Sequence, residues 1–119
     1  MKTKILVVSI LTLFISSKLV YSQKTNQSGA VRVVVAGTSH GHSGWILDKA
    51  KSEEMEIVGI YEPDKALAKK HAIKYHLDPA LFYTELNTVL DLKKPEAVLA
   101  FGSIKEHLYV TQVAAPKGI

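Results

Sequence analysis

The chain has 119 residues, 47% of them hydrophobic and 22% charged, which suits one small domain with a core of its own and excludes a disordered chain. It contains no cysteine, which excludes thiolate catalysis and thiolate metal sites. The formal net charge of +4 overstates the basicity of the folded part: without Lys2, Lys4 and Lys18 of the N-terminal leader, the 15 basic residues fall to 12 against 11 acidic ones. No basic stripe remains to hold nucleic acid.

Residues 1–22, MKTKILVVSILTLFISSKLVYS, have the order of a secretory signal peptide. Lys2 and Lys4 make a basic start, Ile5 to Ile15 an apolar segment, and Val20 and Ser22 stand at −3 and −1 of a cleavage site before Gln23. The apolar segment is short for a bilayer span, so a cleaved leader is preferred over an uncleaved anchor. The expected product is exported, to the periplasm or the medium, with no stable membrane span once the leader is removed. Residues 23–30, QKTNQSGA, read as a flexible lead-in.

Val31 to Ala36 predicts a first strand, apolar on both faces except at Arg32, as expected inside a parallel sheet covered by helices. A helix is expected over 43–52, with Trp45, Ile46 and Ala50 inward and Leu47 at the margin. Glu56 to Tyr61 is the second strand. Asp64 is placed to cap a helix over 65–76 in which Leu67, Ala68, Ala72 and Tyr75 recur at helical spacing, with His71 and His76 on the surface. Leu81 to Tyr83 is a short third strand, and Thr84 is placed to cap a helix ending at Leu92 with Leu86, Val89 and Leu90 inward. Ala97 to Phe101 is a buried fourth strand. Ser103 and Glu106 form a capping box for a last helix to about Ala115. The alternation of strand and helix argues for a Rossmann-like three-layer α/β/α fold on a parallel sheet of about four strands, incomplete by comparison with the full fold, spanning 31–119.

The loop after the first strand reads Gly37-Thr38-Ser39-His40-Gly41-His42. A dinucleotide fingerprint places glycine at its first, third and sixth positions, for the tight turn, the approach of pyrophosphate and the packing of helix on strand. Only Gly37 matches; Ser39 is small enough to serve, and His42 is the larger departure. Glu62 closes the second strand, 25 residues after Gly37, where a carboxylate accepts hydrogen bonds from ribose hydroxyls and repels a 2′-phosphate, favouring NAD over NADP. Phe101 and Gly102 at the exit of the fourth strand, and His107 in the first turn of the last helix, border the same sheet edge. His40, His42 and His107 have no further partner dictated by spacing, so a metal site is not expected. A nucleophile elbow of the G-x-S-x-G type is absent from the sequence.

The stretches VVVAGTSHGH, IVGIYEPDKALAKKHAIKYH, YTELNTVLDLKKPEAVLAF and HLYVTQVAAPKGI together resemble the N-terminal Rossmann domain of the glucose–fructose oxidoreductase/inositol dehydrogenase (Gfo/Idh/MocA) family. The resemblance covers Val31 to Ile119. It implies NAD(P) binding and hydride transfer on sugars or polyols, with Gly37, Thr38, Ser39 and His40 by the pyrophosphate, Glu62 at the ribose, and Phe101, Gly102 and His107 bordering the cofactor. The family more often has Thr-Pro-Asn-like residues where Phe101-Gly102-Ser103 stand. Its next strand, its Glu-Lys-Pro motif and its substrate domain would follow Ile119, so no catalytic residue is assigned within these residues. The fourth strand is then expected to be an open edge prone to self-association. The alternative reading is a non-catalytic nucleotide-binding or interaction module, or a fragment without independent activity.

Overall fold

The computed structural model describes residues 29–119; the leader and the lead-in up to residue 28 lie outside the described residues. Strand β1 (Val31–Ala36) is the centre of the architecture. It is flanked by β2 (Met55–Tyr61) and β4 (Ala97–Ala100), with β3 (Phe82–Tyr83) outside β2. All neighbours are parallel and the order is β3-β2-β1-β4. The helices α1 (Ser43–Leu47), α2 (Lys65–Lys74), α3 (Leu86–Lys93) and α4 (Ile104–Ala114) alternate with the strands. This is the four-strand, Rossmann-like α/β/α arrangement expected from the alternation.

The two faces of β1 explain the layers. Val34 and Ala36 pack with Leu86, Val89 and Leu90 of α3 and Val110 and Ala114 of α4. Val33 and Val35 pack with Leu47, Ile57, Ile60 and Leu77 on the other side. Each fully buried valine or leucine contributes about 1.5–3 kcal/mol of transfer free energy, so the central strand holds both layers. Arg32, the exception in the apolar run, serves the edge: its guanidinium donates to the carbonyls of Lys93 (2.7 Å) and Lys94 (3.2 Å), the otherwise open C-terminal end of α3.

Strand β2 carries one extra residue opposite Val33–Val34, since Val33 pairs with Ile57 and Val34 with Gly59. In a regular strand residues three apart face opposite sides. The bulge places Ile57 and Ile60 in the same layer.

Several element boundaries differ from the sequence expectation for identifiable reasons. Helix α1 stops at Leu47 because Ala50 turns its carbonyl to the Ile57 N–H (2.8 Å) and Lys51 bridges Glu56. In so short a helix Ser43 and Leu47 face inward, Leu47 being fully buried, while Trp45 is 69% exposed rather than part of the inner face. Helix α2 ends at Lys74, with His76 in the left-handed region (φ 51°) and the Leu77 N–H reaching back to the Ala72 carbonyl (2.9 Å). Helix α3 begins after Glu85, which makes no side-chain cap, so Thr84 is not its cap. Asp64 caps α2, and the Ser103–Glu106 capping box is present on α4. Among the described residues no helix is long and apolar enough to cross a membrane.

Gly59 is the tightest point of the strand–helix contact. A Cβ there would lie 2.4 Å from Val89 Cγ2 of α3. Its φ is not in the left-handed region, so the constraint is packing rather than backbone conformation. Gly59→Ala is expected to lower stability by about 1–3 kcal/mol through overpacking. Adding Val89→Ala, which removes the clashing methyl, is expected to recover part of the loss; additive costs in a denaturation double-mutant cycle would contradict this.

Candidate functional site

The loops leaving β1 and β4 lie side by side at the C-terminal edge of the sheet. Between these two strands the order of the sheet reverses, and an open α/β sheet places its ligand crevice at such a point. The backbone ties the loops together. The Phe101 N–H donates to the Ala36 carbonyl (2.9 Å), and the His40 N–H donates to the Phe101 carbonyl (2.9 Å).

Gly37 makes the approach feasible. Its φ is +76°, and a Cβ on it would stand 2.9 Å from both Cα and N of Gly102. Both requirements select glycine, and the contact explains why two expected site residues from distant stretches of sequence meet.

The loop that follows is held from beneath. Thr38 is 2% exposed and Glu62 5% exposed. One carboxylate oxygen of Glu62 accepts from the Thr38 N–H (2.9 Å) and from its hydroxyl (2.6 Å). The other accepts from the Asp64 N–H (3.0 Å). The Ser43 hydroxyl donates to the Thr38 carbonyl (3.0 Å). Thr38 is therefore bonded at its N–H, its hydroxyl and its carbonyl, and the turn becomes rigid. Above it, Ser39, His40, Gly41 and His42 are exposed. Among the described residues, the Ser39 and Gly41 N–H groups meet no acceptor, whereas those of Gly37, Thr38, His40, His42 and Ser43 do.

His42 stacks on Trp45, with ring centroids 4.4 Å apart and an interplanar angle of 19°, and His40 meets His42 edge-on at 4.7 Å. Trp45, expected on the inner face of its helix, is instead an exposed member of this aromatic cluster. The available signal was the spacing of three between His42 and Trp45, which sets them on one face of a helical turn. His107 is not brought to this cluster by any hydrogen bond or ring contact; it lines a groove of about 480 Å³ along β4 with Ala97, Val98, Ala100 and Val110. Among the described residues, no group of three or more His, Asp or Glu side chains converges to hold a metal ion.

Glu62 also borders a groove of about 450 Å³ between α2 and β3, where Lys65 and Lys69 stand over a floor that includes Ala68, Ala72 and Tyr83. On the sheet side of α2 lies His71, expected at the surface but buried with 9% exposure, its Nδ1 without a hydrogen-bond partner and its ring 5.6 Å from that of Tyr75. Residues 68, 71 and 72 form the buried stripe of α2, which puts His71 inside. Burial holds its pKa below the ordinary value of 6.5, Lys74 and Lys70 push the same way, and the Glu62 carboxylate opposes them.

No protein-family profile matches the chain, and neither a curated protein nor a solved structure matches it.

The buried imidazole has a pH consequence. In the fold His71 binds its proton less readily than in the unfolded chain, so its neutral form stabilises the fold above the ordinary pKa. That contribution is lost as pH falls below about 6.5 toward the lowered folded value. Chemical denaturation at about pH 7.5 and about pH 5 should show lower stability at the acidic value, and His71→Leu should flatten the difference. An unchanged pH slope in the variant would remove His71 as its source.

Proposed function

We propose that the chain is the nicotinamide-dinucleotide-binding part of an exported oxidoreductase similar to the Gfo/Idh/MocA family, acting on sugars or polyols. One observation carries the reading: a positive-φ glycine turn at the end of the central strand lies against the glycine exit of β4, at the reversal point of a parallel sheet. The unengaged N–H groups of Ser39 and Gly41 suit the oxygens of a pyrophosphate, as backbone N–H groups at such turns do. Gly37 lets the loop approach β4; Ser39 and His40 line its open side; Phe101 and Gly102 form the opposite wall. The nicotinamide end would extend toward α4 and His107. In this reading the chain contributes cofactor binding, and no side chain among the described residues is given a catalytic role.

The outer edge of β4 belongs to the same proposal. Its four residues are only half-buried, and α4 overhangs a groove beside them. A further strand or a second copy of the chain would pair there, since an open apolar edge presents unpaired backbone groups.

Trp45 is the chain's one tryptophan and stands beside the loop, so its emission reports on occupancy directly. Titration with NADH is expected to quench Trp45 saturably, and ADP-ribose, which carries the pyrophosphate, should compete. Gly37→Ala should abolish the quench while the far-UV circular dichroism persists, because the added Cβ pushes the two loops apart. A linear, unsaturable response to both NADH and NADPH would overturn the reading.

A further inference from the structure

We propose that Glu62 is a positioning residue for the 37–43 loop, acting through Thr38, and does not grip the ribose of the cofactor. The inference rests on the nucleotide reading above and revises the role that an acid at the end of the second strand would be given from its position in sequence.

The acceptor sites of Glu62 are nearly all taken by the chain itself. An ionised carboxylate offers about four lone-pair positions. Three of those on Glu62 already receive donors from the chain: the Thr38 N–H, the Thr38 hydroxyl and the Asp64 N–H. A ribose diol held by both hydroxyls needs two. Burial agrees with the count, since only 5% of Glu62 is exposed.

The same bonds define what Glu62 does instead. Thr38 is itself 2% exposed, so its hydroxyl faces Glu62 and not a ligand. With the N–H and hydroxyl of Thr38 fixed by Glu62 and its carbonyl fixed by the Ser43 hydroxyl, the next residues turn outward with the Ser39 and Gly41 N–H groups unengaged. The carboxylate sets the direction of donors that it does not touch.

A consequence concerns the 2′ position of the cofactor. A carboxylate that binds the 2′-hydroxyl discriminates against a 2′-phosphate, both by bonds lost and by repulsion. A carboxylate turned inward and bonded to three chain donors discriminates little. Lys65 and Lys69 line the groove next to it and oppose any residual repulsion. NADH and NADPH are then bound with similar affinity.

The test measures Kd for NADH and for NADPH on the full chain and on Thr38→Val, Thr38→Ser, Glu62→Gln and the Glu62→Gln/Thr38→Val double variant, with a thermal melt of each. Thr38→Val is expected to weaken both cofactors together by about tenfold, because the Ser39 and Gly41 N–H groups lose the fixed direction that the Thr38 hydroxyl bond gives them. Thr38→Ser, which keeps the hydroxyl, should restore binding. Glu62→Gln, whose single amide oxygen can serve the Thr38 donors or the Asp64 N–H but not both, should also weaken both together, leaving the NADPH/NADH ratio within about twofold of wild type, and the double variant should be less than additive. A Glu62→Gln ratio shifted about tenfold or more toward NADPH, with Thr38→Val leaving the ratio and both affinities alone, would assign Glu62 to the ribose and overturn the proposal. A lowered melting temperature with unchanged affinities would reduce Glu62 to a purely structural role and overturn it as well. If Glu62→Gln does not fold, the two Thr38 variants decide, because both keep the carboxylate. Wild type that binds neither cofactor overturns the nucleotide reading itself, an outcome distinct from each of these.

Discussion

Val33 and Val35 on one side of β1, and Val34 and Ala36 on the other, are all 3% exposed or less. A strand with no wet face must be covered by two layers of helix and paired along both edges. That constraint places α1 and α2 on one side, α3 and α4 on the other, and β2 and β4 as neighbours. Once β1 is central, its C-terminal end is the only position from which a loop lies between chain running in one direction across the sheet and chain running in the other. The candidate site is thus a consequence of burying four apolar residues, before any of its polar groups is considered.

The polar groups then fix what the sheet has only located. The exits of β1 and β4 meet at Gly37 and Gly102, with backbone hydrogen bonds on either side of the contact. Glu62 links the exit of β2 to the same place through Thr38. A carboxylate buried to this degree is costly unless its lone pairs are filled, and here they are filled mainly by one neighbouring residue. Breaking those bonds would leave a buried charge as well as a loosened turn. Three strands converge on one loop by three different means: a glycine contact, a backbone ladder and a buried charge-assisted hydrogen bond.

Much of this was legible in the sequence. The order and type of every strand and of the longer helices follow from apolar runs, caps and turn residues, and Asp64 and Ser103 cap as their positions suggest. What was illegible depended on contacts between distant residues. Trp45 and Leu47 exchanged places because α1 is cut short by a turn that pairs with β2, and hydrophobicity alone favours the larger side chain for the core. His71 reads as a surface residue among lysines, yet the stripe of α2 passes through it. The bulge in β2 opposite Val33–Val34 has one mark in the sequence, Gly59 inside the strand, and its register depends on the pairing with β1. The place of Glu62 at the end of β2 is legible, whereas the direction of its carboxylate is set by a threonine 24 residues away.

Glycine counting is therefore a poor measure of a loop like this one. The fingerprint glycines serve as proxies for three physical conditions: a left-handed turn, a clear path for an anion to the backbone, and close packing behind the loop. Gly37 meets the first. Exposed Ser39 and Gly41 meet the second without a glycine at the third position of the pattern. Gly44, outside the pattern's register, faces only the end of the Tyr75 side chain, whereas the close backbone approach at this loop is that of Gly37 to Gly102, 2.9 Å from where a Cβ on Gly37 would lie. His42, at the position where the pattern wants glycine, points outward onto Trp45 and obstructs nothing behind the loop. A loop fixed in this way presents the Ser39 and Gly41 N–H groups in one direction, because Thr38 is bonded at its N–H, its hydroxyl and its carbonyl.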